Sequence, residues 1–523
     1  MNLGAVVERH PADARALFEG GSWHTWGQLR ARAGAQARSI TAMGVGPGDR
    51  VAIAFGTSVD FVVAYLGVLA CGGVAVPLNP NSPAAELAGE LRAVGAGLLL
   101  AGGAAAGAAS ELAEQAGGTR VVVPEALAGS PSEGPGADSE PGTDSEPGPD
   151  TEPGTVAATG TDADPERYEV ADRADDDVAV LLFTSGTAGA PRPAMLTHGN
   201  LLANLRQMLS VPGIVGSDDV ALAAVPLFHV FGLNVALGLV LETGASLVLE
   251  ERFDAAESLE LVRDLGVTAL LGVPAMFSAW ADAPGVEPSA LAGVRHAIAG
   301  AAALEPEVAE RFEHRFGVPV WQGYGLTEAS PAVSTSLGTG RNRAGSVGHP
   351  LPGVELRIVD EGGEQVLDGD PGEIWVRGPN VFAGYWGDEP STAEVLTPDG
   401  WLRTGDVGVV GPDGDLYVVD RKKDLVIVSG FNVYPGEVEK VVAEVPGVSA
   451  AVVVGLPDAL TGESVEAVVV RQPGAAVTEQ QVRDQCASRL ARYKCPSSVR
   501  FVDELPTGLA GKALRRAVRQ QVT

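Results

Sequence analysis

Short apolar runs of strand length, at residues 51–55, Leu98–Ala101, 178–183 and Ser246–Leu249, alternate along most of the chain with stretches of helical period. That alternation predicts an α/β architecture. In one helical stretch Asn200 stands where a cap is wanted, and Leu201, Leu202, Leu205 and Met208 recur on a single face. Two long apolar runs have the length of membrane spans. Residues 61–78 contain Gly72-Gly73 and then Pro77, which predicts a buried helix at 61–70, a turn and a buried strand at Val74–Pro77. Residues 220–249 carry His229, Asn234 and Glu242, groups costly in lipid and ordinary in a pocket wall. No integral membrane segment is expected.

The pattern changes near residue 425. Pro435 and Glu437 suit a first helical turn, with Val438, Val441, Val442 and Val445 on one face, and strands at 450–454 and 465–470 follow. A helix at 479–490 and a strand at 499–502 complete a small α+β unit. The expected division is a large domain at 1–420, a hinge at 421–424 and a small domain at 425–523. Inside the large domain a Ser/Thr-Glu-Pro-Gly phrase recurs at residues 139, 145 and 151. Fifteen acidic residues against two arginines between 130 and 177 predict a disordered, self-repelling insert.

The formal charge of −31 argues against a nucleic-acid binder, whose surface would need Lys and Arg in excess. Cys71, Cys486 and Cys495 have neither disulfide-scaffold nor zinc spacing, and a reducing cytoplasm fits them. The first residues lack the basic and apolar regions of a secretory signal.

The chemistry gathers at four places. The strand ending at Phe183 runs into Thr184-Ser185-Gly186-Thr187-Ala188-Gly189-Ala190-Pro191-Arg192, where glycines let backbone N–H groups converge on an anion, hydroxyls add donors and a cation closes the loop. Tyr324-Gly325-Leu326-Thr327-Glu328 offers an aromatic face, a hydroxyl and a hard carboxylate. Thr404-Gly405-Asp406 and Asp420-Arg421-Lys422-Lys423-Asp424 supply an acid suited to a ribose diol, with cations nearby. Near the end of the chain, Lys512 follows Gly508 and Gly511.

Together these stretches, with Pro226–Gly232, Gly300-Ala301-Ala302, Gly372–Gly378 and Gly430–Pro435, resemble in order the adenylate-forming superfamily of acyl-CoA synthetases, adenylation domains and beetle luciferases. The resemblance implies a large N-terminal domain, a small mobile C-terminal one and a site between them. It implies that Thr184, Ser185, Gly186, Thr187, Gly189 and Arg192 hold the outer phosphates of ATP, that Thr327 meets the α-phosphate and that Glu328 holds Mg2+. Adenine falls to Tyr324 and Gly300, Ala301 and Ala302, the ribose to Asp406 and Arg421, the reacting phosphate to Lys512 and the hinge to Lys423. Gly430 marks the entry of coenzyme A, and His229 borders the acyl channel.

One departure stands out. The family's usual Pro-Lys-Gly is here Pro191-Arg192-Pro193, which keeps the charge and predicts a stiffer loop. The implied reaction joins a carboxylic acid to AMP and then to the thiol of coenzyme A. A carrier protein is the alternative acceptor, and a degenerate binder is opposed by the presence of Glu328, Asp406, Arg421 and Lys512. Amino acids are disfavoured because Phe228-His229-Val230 stands where amino-acid-activating relatives place an Asp. Apolar stretches at 230–241 and 272–277, with no cation for a second carboxylate, point to a medium- or long-chain fatty acid, with an aromatic acid as the alternative.

Overall fold

The computed structural model describes residues 1–123, 168–184, 192–340, 342–360, 362–421, 424, 426–428, 431–458, 462–490, 492–507 and 515–522. Among these, four β-sheets organise the chain.

The first sheet has six strands in the order Arg120–Val122, Leu98–Ala101, Arg50–Ala54, Val74–Pro77, Val178–Thr184 and Arg192–Thr197. All are parallel except the last, which turns back antiparallel to Val178–Thr184. Its inner strands are buried on both faces, so they read as continuous apolar runs rather than alternating ones. The run at 61–78 resolves into the helix Val59–Ala70, a turn at Gly72 (φ +79°) and the strand Val74–Pro77. Among the described residues no helix is long and apolar enough to cross a membrane.

A nine-stranded sheet carries a parallel core in the order Val320–Gly325, His296–Ala299, Ala269–Gly272, Val220–Ala223, Ser246–Leu249 and Arg15–Glu19. Ala332–Thr335 and His349–Pro350 extend it antiparallel beside Val320–Gly325. One apolar core joins these two sheets, with Trp26, Phe61, Phe277, Trp280 and Phe312 fully enclosed. A four-stranded antiparallel sheet, Glu355–Val359, Gly372–Arg377, Leu402–Val410 and Leu416–Arg421, follows.

The last sheet is built from Phe431–Val433, Val426–Val428, Gly462–Arg471 and Val448–Asp458, with Ser498–Val502 parallel beside Gly462–Arg471. Its valine-rich core takes Val438, Val441, Val442 and Val445 from the helix Pro435–Ala443 and its end. Val518 and Val522 of the terminal helix cover the other face, against Val452, Val454 and Val468.

Two expectations are corrected here. Thr197, not Asn200, caps the helix His198–Leu209: the Asn200 N–H donates to Thr197 Oγ1 (3.0 Å) and Asn200 Oδ1 accepts from the Thr197 N–H (3.1 Å), a reciprocal capping box. Residues 168–177, counted with the acidic insert, pack on the core instead, because Tyr168 brings an aromatic ring and its hydroxyl donates to the Gly4 carbonyl (2.9 Å), while the Ala171 N–H donates to Ala70. The repeated phrase itself lies outside the described residues.

Candidate active site

The cavity opens where the carboxyl ends of the parallel strands meet the four-stranded sheet, the usual place for a ligand in an open α/β sheet. It has a volume of about 850 Å³ and is lined by Thr184, Arg192, His229, Gly300, Ala301, Tyr324, Thr327 and Glu328 of the residues expected from sequence. Motifs separated by more than a hundred residues therefore converge on one space.

Thr184 and Arg192 sit opposite each other at the base of the expected phosphate loop, with Thr184 Oγ1 donating to the Arg192 carbonyl (3.3 Å). Ser185, Gly186, Thr187 and Gly189 lie outside the described residues. So do Lys423, Gly430 and Lys512, and the side chain of Arg421. The Arg192 guanidinium stands 5.7 Å over the Tyr385 ring, and its Nε is 3.6 Å from Asp388. Pro193 lies on the outermost strand of its sheet, where a missing N–H is tolerated. Its carbonyl accepts from the Trp386 N–H (2.8 Å).

The strand Val320–Gly325 delivers Tyr324, whose hydroxyl donates to Asp406 Oδ2 (2.7 Å). Asp406 is buried on Leu402–Val410, opposite Arg421 in the neighbouring strand. Asp406 is therefore held through the aromatic residue expected to stack a base. The irregularity in the strand before it is fixed by Thr404, whose hydroxyl donates to the Ile374 carbonyl (2.7 Å) and accepts from the Asp406 N–H (3.1 Å).

Gly300 and Ala301 follow the strand His296–Ala299. A side chain at Gly300 would come within 2.8 Å of the Phe231 ring, and Ala301 adopts a left-handed backbone (φ +66°), a strained state for a residue with a Cβ. Ala302, also expected beside adenine, is not among the residues lining the cavity.

Glu328 lies in the short turn Thr327–Ala329 and is gripped twice from one loop. The Phe382 N–H donates to its carbonyl (2.9 Å), and the Tyr385 hydroxyl donates to its Oε1 (2.7 Å). Burial first, and the Glu328 carboxylate second, push the Tyr385 phenol well above its ordinary pKa, so it stays a donor at working pH. Tyr385 was not expected from sequence; the signal available was Gly384-Tyr385-Trp386, an aromatic pair after a glycine.

His229 projects into the cavity. Its Nδ1 accepts from the Phe231 N–H (3.3 Å), which leaves the proton on Nε2; although the ring is exposed to the cavity, the protein surrounding it disfavours the charged form and lowers its pKa from the ordinary value. The wall beyond it is a π-helical stretch, Phe231–Gly238, a geometry frequent at functional sites. Asn234 anchors that wall by donating to the Ser330 carbonyl (2.7 Å).

Met208, Val211, Ile214, Val235 and Ile298 form the apolar side of the cavity. The expected contribution from 272–277 is corrected: Met276 and Phe277 point into the core, where Phe277 meets Trp280 (5.2 Å) and Phe312 (5.2 Å) edge to face.

Comparison with known proteins gives the family and the fold. The AMP-binding enzyme family model matches residues 3–386, and that of the AMP-binding enzyme C-terminal domain matches residues 437–512. A feruloyl-CoA synthase from an Amycolatopsis species is 37% identical over 509 residues, 97% of this chain and 96% of its own length. A long-chain-fatty-acid–CoA ligase from Yersinia pestis is 33% identical over 520 residues, 98% and 92% of the two chains. Among solved structures, ATP-bound MatB from Rhodopseudomonas palustris superposes with a TM-score of 0.87 at 32% identity, covering 99% of this chain and 98% of its own. The o-succinylbenzoate CoA synthetase MenE from Bacillus subtilis, in complex with its acyl-adenylate, gives 0.84 at 28% identity, covering 99% and 98%.

Proposed function

The chain belongs to the AMP-binding enzyme family, and from that premise we propose that it activates a monocarboxylic acid with an apolar body, a medium- or long-chain fatty acid first. It is an ATP-dependent acyl- or aryl-CoA ligase. The observation that carries the choice of acid is the uncharged wall of Met208, Val211, Ile214, Val235 and Ile298. An aromatic acid is the second reading, favoured by the similarity to feruloyl-CoA synthase.

In the first half-reaction a carboxylate oxygen attacks the α-phosphorus of ATP, the bond to the bridging oxygen breaks and pyrophosphate leaves. In the second, the thiol of coenzyme A adds to the acyl carbon, loses its proton and expels AMP. Both reactants of the first step are anionic, so oriented donors and cations lower the barrier.

In this reading the loop from Thr184 through Ser185, Gly186, Thr187 and Gly189 to Arg192 receives the outer phosphates, and Thr327 the α-phosphate. Tyr324, Gly300 and Ala301 hold adenine; Asp406 and Arg421 hold the ribose. Lys512 meets the reacting phosphate, Gly430 lies at the entry of coenzyme A and His229 borders the carboxylate. The large domain runs to residue 420 and turns against the small one at 421–424.

The residues present fit Mg2+. Glu328 supplies a hard oxygen on the cavity wall, the kind of donor that holds Mg2+ together with substrate phosphate oxygens. When bound, the ion neutralises charge on the phosphates.

The test is a panel of straight-chain, aryl and dicarboxylic acids incubated with ATP, Mg2+ and coenzyme A, with thioesters identified by mass spectrometry. The highest kcat/KM is expected for an acid of roughly eight or more carbons, because each buried CH2 contributes about 0.8 kcal/mol. A maximum at a hydroxylated aryl or a dicarboxylic acid would overturn the fatty-acid reading.

A further inference from the structure

We propose that Tyr385 is a positioning residue that sets the rotamer of Glu328 and ties it to the cation at the base of the phosphate loop. The inference rests on Glu328 being the metal-facing carboxylate, and it assigns to the 382–386 loop a function beyond packing.

Three observations carry it. The Tyr385 hydroxyl is 2.7 Å from Glu328 Oε1, and the Phe382 N–H holds the Glu328 carbonyl at 2.9 Å, so one loop fixes both ends of this residue. With Oε1 engaged, Oε2 is the oxygen left for a hard cation. The same loop is stitched to the strand that continues from the phosphate loop: the Met195 N–H donates to Gly384 (2.9 Å), the Ala383 N–H to Met195 (3.0 Å) and the Trp386 N–H to Pro193 (2.8 Å). Finally, the Tyr385 ring is the surface under the Arg192 guanidinium (5.7 Å), which Asp388 of the same segment also draws.

The turn is built for this placement. Gly384 has φ +121°, and a Cβ there would stand 2.6 Å from the Thr392 methyl. Thr392 Oγ1 in turn accepts from the Tyr385 N–H (2.9 Å). Tyr385 itself is 7% exposed and its ring packs edge to face on Phe382 (5.0 Å). A carboxylate held by such a partner is presented to a metal in one orientation, and loss of the partner of a metal ligand typically weakens metal binding about 10–100-fold.

Tyr385→Phe removes the hydroxyl and keeps the ring under Arg192. Binding of ATP, without acid, is measured by calorimetry once with excess Mg2+ and once in EDTA. The expected result is a loss of about tenfold or more in the affinity for ATP with Mg2+ and no change in EDTA. Equal losses in both conditions, or no loss in either, would overturn the inference, the first showing a role in packing alone. Glu328→Gln run beside it separates the two levels. If Glu328→Gln keeps the gain that Mg2+ gives, the metal reading of Glu328 fails, and the inference with it. If Glu328→Gln loses that gain and Tyr385→Phe keeps it, only the positioning of Glu328 by Tyr385 is wrong.

Discussion

At the scale of single residues, His198 shows how a side chain outside the cavity links the fold to pH. It is fully buried; its Nδ1 accepts from the Leu3 N–H (3.0 Å), and its buried Nε2 has no hydrogen-bond partner among the described residues. Burial, then the positive charges of Arg173 and the N-terminus, lower its pKa to about 4, and Asp177 and Asp175 only partly oppose them. The unfolded chain binds that proton near pH 6.5 and the folded chain does not until about pH 4. Folding is therefore unpenalised above the unfolded value, and its stability falls as pH drops from about 6.5 towards 4, by about 2 kcal/mol at pH 5. His198→Gln, which keeps an acceptor near Leu3, is expected to lose less on going from pH 7.5 to 5 than the parent does, as read from urea midpoints. Parallel losses would show that other groups dominate. Nothing in the sequence marks His198 as buried, since the contact with Leu3 joins residues 195 apart. Tyr385 and Glu328 are 57 apart and equally illegible, whereas Tyr324, Thr327 and Glu328 fall within five residues and announce themselves.

At the scale of elements, the strands Val74–Pro77, Leu98–Ala101 and Ser246–Leu249 were legible because burial on both faces leaves unbroken apolar runs. His296–Ala299 and Val320–Gly325 were not, because the first opens on a histidine and the second sets Gln322, Gly323, Tyr324 and Gly325 after only two apolar residues. Helix ends depend on geometry finer than composition: Thr197 and Asn200 both suit a cap, and only their reciprocal bonds decide which residue stands first. Asn200 does more than close the box, since its Nδ2 also donates to the carbonyls of Pro379 (2.9 Å) and Val381 (2.8 Å), just ahead of the loop that grips Glu328. Thr197→Ala is expected to cost about 1 kcal/mol, the usual value of a lost cap. Asn200→Ala should cost more, about 2 kcal/mol, because two further carbonyls lose a donor. It should also raise the KM for ATP, which Thr197→Ala should leave nearly unchanged. Equal stability losses and an unaltered KM for both variants would deny the loop any support from Asn200.

At the scale of the whole molecule, the order of motifs along the chain was readable, and the structure brings residues of the motifs at 184–192, 226–232, 300–302, 324–328, 372–378 and 404–406 to one cavity. What no linear pattern reveals is how the two halves are joined. Arg515, at the start of the terminal helix, pairs with Asp420 (3.1 Å), Asp424 (3.3 Å) and Glu439 (2.7 Å), so the segment three residues after Lys512 is clasped to the stretch expected to act as the hinge. The two half-reactions make different demands on that clasped unit. Adenylation crowds negative oxygens around the α-phosphate and needs a cation there; thiol attack on an acyl carbon does not. Lys512→Ala should therefore nearly abolish acyl-adenylate formation from acid and ATP, by about 10²–10³-fold, while thioester formation from a supplied acyl-adenylate persists. Lys423→Pro, which restricts φ at the expected hinge, should impair the second step more than the first. The two steps are measured apart, by pyrophosphate release without coenzyme A and by thioester yield from synthetic adenylate. If Lys512→Ala slows both equally, or Lys423→Pro spares the thioester step, a single arrangement of the two domains serves the whole reaction and the turn about residues 421–424 is not part of it.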